Sequence, residues 1–286
     1  MALARATGGV IVNADSAQIY REIPIISAAP SAADRAEVEH RLYDARSVTS
    51  PCSAADWAAL ASSEIASIHQ AGELPILVGG TGLYIRTLLD GIAPIPPIDP
   101  AIRSAVRAAT VADNHAELER FDPDSATRLN PADTTRIARA LEVVKSTGHP
   151  LAHWHQQISG GIADRVELRP LILLPPRDWL IARCDQRFAA MLDHGAVQEV
   201  ERLMAMNLNP QLPAMLAIGV REIAAGGTRD QIIARGEIAT RHYAKRQYTW
   251  FSNQPPPDWP RFISPLDEPG AMAQALALLG PNRRFR

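Results

Sequence analysis

Apolar positions along the chain fall into short unbroken runs and longer stretches at helical spacing. Val10-Ile11-Val12 and Ile76-Leu77-Val78 have the length of buried strands. The second run passes Gly79-Gly80-Thr81-Gly82 and leaves as a helix whose Leu83, Thr87, Leu88 and Leu89 share a face. A strand feeding a helix through a glycine-rich loop is the βα unit of an open α/β sheet. In such sheets ligands bind at the carboxyl ends of strands. Two readings of the glycines stay open: close approach of a ligand to the backbone, or packing alone. Thr81 is the hydroxyl of the turn.

The same patterning organises the rest. Met1 to Thr7 reads as the last turns of a helix stopped by Gly8-Gly9, ahead of a strand that ends at Asn13-Ala14-Asp15. An α/β domain opening on the tail of a helix is expected to lack the strand and loop before it. Residues 22–36 read as loop, and residues 40–44 as a short strand. Ser53 caps a helix with Trp57, Leu60, Ala61, Ile65 and Ile68 on one face, ending near Gly72. The proline-rich stretch 91–100 marks a boundary rather than an element. Beyond it, Asp99-Pro100, Asp122-Pro123 and Asp133 open helices, the last with Ile137, Leu141 and Val144 as its stripe, and no strand is expected from 99 to 165. The expected organisation is an α/β core of residues 1–98 and 166–286 with a helical insertion at 99–165. In the second core segment, a strand is expected over 166–174 and a helix from Asp178. A turn at Leu216 to Ile223 enters a short helix, and a long helix runs from Thr228 to about Asn253. A strand at 261–263 and a helix near 270–279 follow.

Composition narrows the class. A chain of 286 residues, 47% hydrophobic and 21% charged, can bury a large core. A net charge of −2 confines any nucleic-acid surface to a local patch. Cys52 and Cys184 fit a reducing compartment and lack metal-ligand spacing. No apolar run approaches the roughly 18 residues that would cross a bilayer, and no leader pattern opens the sequence. The expected location is the cytoplasm, with no membrane partner.

Three clusters carry candidate chemistry. Asp15 follows a strand end, where it is either a reactive carboxylate or a cap for the next turn. Arg183 and Arg187, four apart, share a polar helix face. Arg235, Arg241, Lys245 and Arg246, against Glu237, are interleaved with Tyr243, Tyr248, Trp250 and Phe251. That mixture suits single-stranded nucleic acid, where cations hold phosphates and rings stack on bases. It also suits a solvated basic helix with its aromatics turned inward. His153-Trp154-His155 reads as loop or helix end, and its two histidines do not make a metal site.

Five ordered motifs bear a resemblance when taken together. They are Asp15-Ser16-Ala17-Gln18-Ile19-Tyr20, the run from Val78 to Tyr84, the Asp133-to-Val143 segment with Arg136, Arg139 and Glu142, Ala217-Ile218-Gly219-Val220-Arg221-Glu222, and Lys245-Arg246-Gln247-Tyr248-Thr249-Trp250-Phe251. This pattern resembles the bacterial tRNA dimethylallyltransferases, also called tRNA isopentenyltransferases. The resemblance implies an α/β, P-loop-NTPase-like parallel core with a helical insertion. It also implies transfer of a dimethylallyl group from dimethylallyl diphosphate to N6 of adenine 37 in tRNA.

By resemblance Asp15 is the catalytic base. Arg187 holds diphosphate, with Arg183 a second candidate. Ser16, Ala17, Gln18, Thr81 and Arg103 meet the tRNA near the reacting base. Thr135, Arg136 and Arg139, with Ile137 and Ala138 between them, grip the anticodon stem-loop from the insertion. Arg221, Lys245, Arg246 and Gln247 grip it from the core. Mg²⁺ is the implied cofactor, the anticodon stem-loop of tRNA and dimethylallyl diphosphate are the implied partners, and the expected state is a monomer. The family's G-x-T-x-x-GK-[ST] loop does not occur in this sequence, so its diphosphate cradle is expected to be missing. Leu216 and Ser252 stand where many relatives carry arginine. A non-catalytic RNA-binding relic is the alternative. A small-molecule P-loop kinase fits the fold class but has no need of the 245–251 motif.

Overall fold

The computed structural model describes residues 1–280; residues 281–286, inside the expected core segment 166–286, lie outside the described residues. The chain forms two compact units, Met1–Leu88 with Ala163 onward, and Leu89–Ile162.

In the first unit, α1 (Ala2–Thr7) stops at Gly8 in the left-handed region and hands over to β1 (Val10–Asn13), buried along its whole length. The chain from Tyr20 to Pro30 carries no helix or strand, but α2 (Ala32–Glu37) follows, where the sequence reads as loop. Ser31 and Asp34 form a reciprocal capping box that starts α2 despite its lack of buried residues. The strand expected over 40–44 shrinks to β2 (His40–Arg41), because Leu42 and Asp44 take left-handed backbone conformations. The helix α3 (Ala54–Gln70) opens on a Ser53–Asp56 capping box and buries Trp57, Ala61, Ile65 and Ile68. The order continues with β3 (Pro75–Val78) and α4 (Gly82–Asp90). The three strands form a parallel sheet in the order β2-β1-β3, with Asn13 opposite Val78.

The second unit opens with β4 (Gly91–Ile92), in a stretch whose prolines read as a boundary. It pairs antiparallel with β5 (Ser159–Gly160), in the span where no strand is expected. That pairing moves the division of the chain ahead of the prolines. Between the strands lie α5 (Pro100–Ala108), α6 (Val111–Phe121), α7 (Pro123–Arg128), α8 (Thr134–Thr147) and α9 (Leu151–His155). Asp99, Asp122 and Asp133 cap α5, α7 and α8. Val106, Leu118, Ala126, Ile137, Leu141 and Val144 make one apolar core. Within it the Glu142 carboxylate, 1% exposed, accepts from Arg107 Nε at 2.6 Å.

The remainder of the first unit holds β6 (Ile172–Leu173), α10 (Arg177–Asp193), α11 (Ala196–Ala205), α12 (Val220–Ala224), α13 (Arg229–Asn253), β7 (Arg261–Phe262) and α14 (Ala271–Ala277). The strand expected over 166–174 is reduced to β6, whose parallel partner is β7. Thr228 and Gln231 form the box that starts α13. Among the described residues no helix is long and apolar enough to cross a membrane.

Candidate active site at the carboxyl ends of β1 and β3

The ladder between β1 and β3 runs on past both strands. The Ala14 N–H donates to the Val78 carbonyl at 2.8 Å, and the Thr81 N–H donates to the Ala14 carbonyl at 3.1 Å. Asp15 and Thr81 are thereby set side by side. Thr81 Oγ1 accepts the Ser16 N–H at 3.0 Å. Asn13 locks the turn: its Oδ1 accepts the Asp15 N–H at 2.7 Å, and its Nδ2 donates to the carbonyls of Asp15 and Leu42 at 3.0 and 3.1 Å. A fully buried asparagine is affordable only with its amide paired, as this one is. Beneath it, Trp57 Nε1 donates to the Asn13 carbonyl and stacks on Tyr84 at 4.7 Å.

The Asp15 side chain does what a turn cap does. Its Oδ1 accepts the N–H of Ala17 at 2.8 Å and of Gln18 at 3.4 Å. Its Oδ2 has no hydrogen bond among the described residues. Burial pushes the carboxyl above the ordinary aspartate range, against the opposing pull of the two N–H groups and of the Arg187 guanidinium. Three phenols lie within its field. Burial pushes Tyr43 up to about 12, and it raises Tyr84 and Tyr243 as well, with the Asp15 charge adding to each. The carboxylate therefore has neutral phenols and one cation around it. Nothing in the sequence pattern marks these tyrosines as neighbours of Asp15, since they come from segments far apart along the chain.

The glycine turn decides between its two readings. A Cβ on Gly79 would overlap the Ala14 backbone, on Gly80 the Gln247 amide, and on Gly82 the Trp250 ring. The close approaches are made by the chain itself, so these glycines serve packing. Gln247 Nε2 donates to the Gly80 carbonyl at 3.0 Å, which ties α13 to the turn. The Gln18 amide is also engaged, donating to the Ser27 and Ala28 carbonyls at 3.0 and 2.9 Å.

The cations separate into engaged and unengaged groups. Arg183 faces Asp267 at 3.5 Å and lies over Trp179, whereas exposed Arg187 has no ion pair among the described residues. Arg187 also lines a cavity of ≈ 570 Å³ with Pro24, Ala28, Ala29 and Met191. On α13, Arg241 pairs with Asp185 and Glu237, and Arg235 donates to the Glu222 and Gly226 carbonyls. Arg246 lies over the Tyr243 ring, and exposed Lys245 is unpaired among the described residues, as is Arg221. The reading of α13 as a basic surface thus narrows to its C-terminal half. Two of its aromatic rings are engaged within the protein as well: Trp250 against Gly82, and Tyr248 beneath Arg177.

In the helical unit, Arg103, Thr135 and Arg136 are exposed. Arg136 pairs with Asp133 at 2.8 Å. Half-buried Arg139 lies in the field of Glu142, Arg103 and Arg107. Ile137 and Ala138 are a correction to the sequence reading. At 0% and 2% exposure they belong to the apolar core, so their side chains have no surface to offer RNA. Ser252 spends its hydroxyl on the Tyr248 carbonyl at 2.7 Å, and Leu216 is exposed. No group of three or more His, Cys, Asp or Glu able to hold a metal ion occurs among the described residues.

A parallel α/β unit with a desolvated carboxylate at its strand ends, in the field of a cation without an ion pair, belongs to the open-sheet α/β class, in which ligands bind at strand ends. The family model described as IPP transferase matches residues 18–254, and the chain belongs to that family. It is similar to the tRNA dimethylallyltransferase of Erythrobacter litoralis, with 59% identity over 256 residues, covering 88% of this chain and 81% of the relative. The tRNA dimethylallyltransferase of Novosphingobium aromaticivorans is 59% identical over 261 residues, covering 90% and 93%. Among solved structures, the full-length tRNA isopentenylpyrophosphate transferase of Bacillus halodurans matches with a TM-score of 0.64 and 29% identity, over 98% of this chain and 90% of that one. A eukaryotic dimethylallyltransferase acting on tRNA matches with a TM-score of 0.72 and 25% identity, over 87% and 64%.

Proposed function

We propose that this chain transfers a dimethylallyl group from dimethylallyl diphosphate to N6 of adenine 37 in tRNA, with Asp15 as the base. The observation that carries the assignment of the base is the free Oδ2 of a half-buried carboxylate whose other oxygen is held by two N–H groups. An exocyclic adenine amine is a weak nucleophile, because its lone pair is delocalised into the ring. As N6 attacks C1 of the allyl group, the C1–O bond breaks and diphosphate leaves with the electron pair. The N6 proton passes to Asp15 Oδ2. Arg187 stabilises the departing diphosphate, and Arg183, engaged with Asp267, contributes less. The adenine must leave its stack to reach such a carboxylate. Ser16, Ala17, Gln18 and Thr81 line the entry. Arg103 meets the tRNA near the reacting base; Thr135, Arg136 and Arg139 hold the anticodon stem-loop from the helical unit, and Arg221, Lys245, Arg246 and Gln247 hold it from the core.

The test is incubation of the purified chain with unmodified tRNA and dimethylallyl diphosphate, followed by mass spectrometry of the nucleosides. N6-isopentenyl-adenosine is the expected product. Binding of the stem-loop without any transfer would favour the RNA-binding relic instead.

Lys245→Ala bears on the RNA side alone. It is expected to weaken tRNA binding and to reduce the slope of log K against log salt by about one. An unchanged slope in a salt titration would mean that the ammonium does not touch phosphate.

A further inference from the structure

Glu199 on α11 is 2% exposed and has no part in the chemistry above. Its two oxygens accept the N–H groups of Ile25 and Ile26 at 3.0 and 2.8 Å. The next two residues, Ser27 and Ala28, turn their carbonyls onto the single Gln18 Nε2. Ala28 reaches that arrangement only through a left-handed backbone, φ 56°, which is strained for a residue with a Cβ. Gln18 in turn gives its own N–H to Asp15 Oδ1. The same loop forms the wall of the cavity that Arg187 also lines.

A buried carboxylate is costly, and burial pushes Glu199 above the ordinary glutamate range. Only a carboxylate offers two oxygens to two adjacent N–H groups, so this buried charge goes with holding Ile25 and Ile26 in place at the same time. We infer that Glu199 is a positioning residue for the transfer reaction, holding the Asp15 turn and the loop facing Arg187 in register through Ile25, Ile26 and Gln18. This inference rests on the proposed role of Asp15. The charges facing Glu199 are those of Arg202 and Asp44; those facing Asp15 are Arg187, with Tyr43, Tyr84 and Tyr243 neutral.

The experiment is a double-mutant cycle of Glu199→Ala and Gln18→Leu, read as kcat per folded molecule, KM for tRNA, and the pH profile of kcat. Each single variant is expected to lose about 10- to 100-fold in kcat, as a misplaced catalytic group does. For Glu199→Ala, which removes no group at the RNA entry, KM for tRNA should stay within about twofold, well inside the tenfold that 1.4 kcal/mol represents. The acid limb should move to lower pH as Asp15 regains water. The double variant should be no worse than the poorer single one, because both cut the same chain of contacts. Glu199→Gln, which keeps one acceptor oxygen, should recover part of the loss. Should Glu199→Ala not fold, Glu199→Gln carries the same kcat and pH readouts, with a partial loss expected from the one N–H left without its oxygen. An unmoved acid limb with unchanged kcat, or losses that simply multiply, would overturn the positioning role. Should Asp15→Asn keep full turnover, the reading beneath this one falls instead.

Discussion

Asp15→Asn is expected to lower kcat by about 10²–10⁴-fold, the range that a positioned general base supplies, with tRNA affinity nearly unchanged. Asparagine keeps an Oδ1 that can accept the Ala17 and Gln18 N–H groups, so the cap survives and only the basic oxygen is lost. Asp15→Ala should match that loss in turnover and in addition lose the cap, at about 0.5–2 kcal/mol of stability.

The pH behaviour follows from burial. Because the folded-state pKa is raised above the unfolded one, the folded chain binds more protons between the two values. Stability from this group is therefore greatest below the ordinary aspartate range and falls as pH rises through the raised value. Activity runs the other way, since the base works only when ionised. At neutral pH Asp15→Asn should then be no less stable than the parent while being nearly inactive. Thermal melts and single-turnover rates measured on the same preparations separate the cases. A large loss of stability with little loss of rate would make Asp15 a cap alone.

Gly79→Ala is expected to cost about as much activity by a different route. Its Cβ would enter the Ala14 backbone, where β1 and β3 hand over to the Asp15 and Thr81 turns. Backbone cannot rotate aside as a side chain can, so the strands must part. Overpacking of this kind costs about 1–3 kcal/mol, and a displacement of about 1 Å at a reacting group can cost 10²-fold in rate. The check is kcat on folded protein at low temperature, with a melting curve alongside. Near-parental turnover with a lowered Tm would mean that the turn's spacing does not matter to the chemistry.

Much of the fold was written locally. Ser53 with Asp56, Thr228 with Gln231, Asp99 before Pro100, and Asp133 are cap signals spanning a few residues, and each opens the helix expected of it. The apolar run at 10–12 is β1, and the glycine-rich turn does join β3 to α4. The lengths of β2 and β6 were not legible, because a strand's extent is set by the partner it meets and by backbone turns such as Leu42 and Asp44. The Ser31–Asp34 box that starts α2 shows that a local signal can also be overlooked in a stretch rich in proline and alanine.

The same division holds at the site. Asp15 at a strand end, the Thr81 turn and the cations of α10 and α13 could all be named from the sequence, because their types and spacing are local facts. Whether a cation is left unpaired is not local. Asp267 answers Arg183, Asp185 answers Arg241, and Arg187 meets neither. Nor does sequence reveal that Gly79, Gly80 and Gly82 are filled by Ala14, Gln247 and Trp250, or that Ile137 and Ala138 turn into a core. The parts that Asn13, Tyr43, Tyr243 and Glu199 play around Asp15 were not legible, for one reason. Their significance is a desolvated hydrogen bond or field on a group distant in the chain, and only folding brings those groups within a few ångströms of one another.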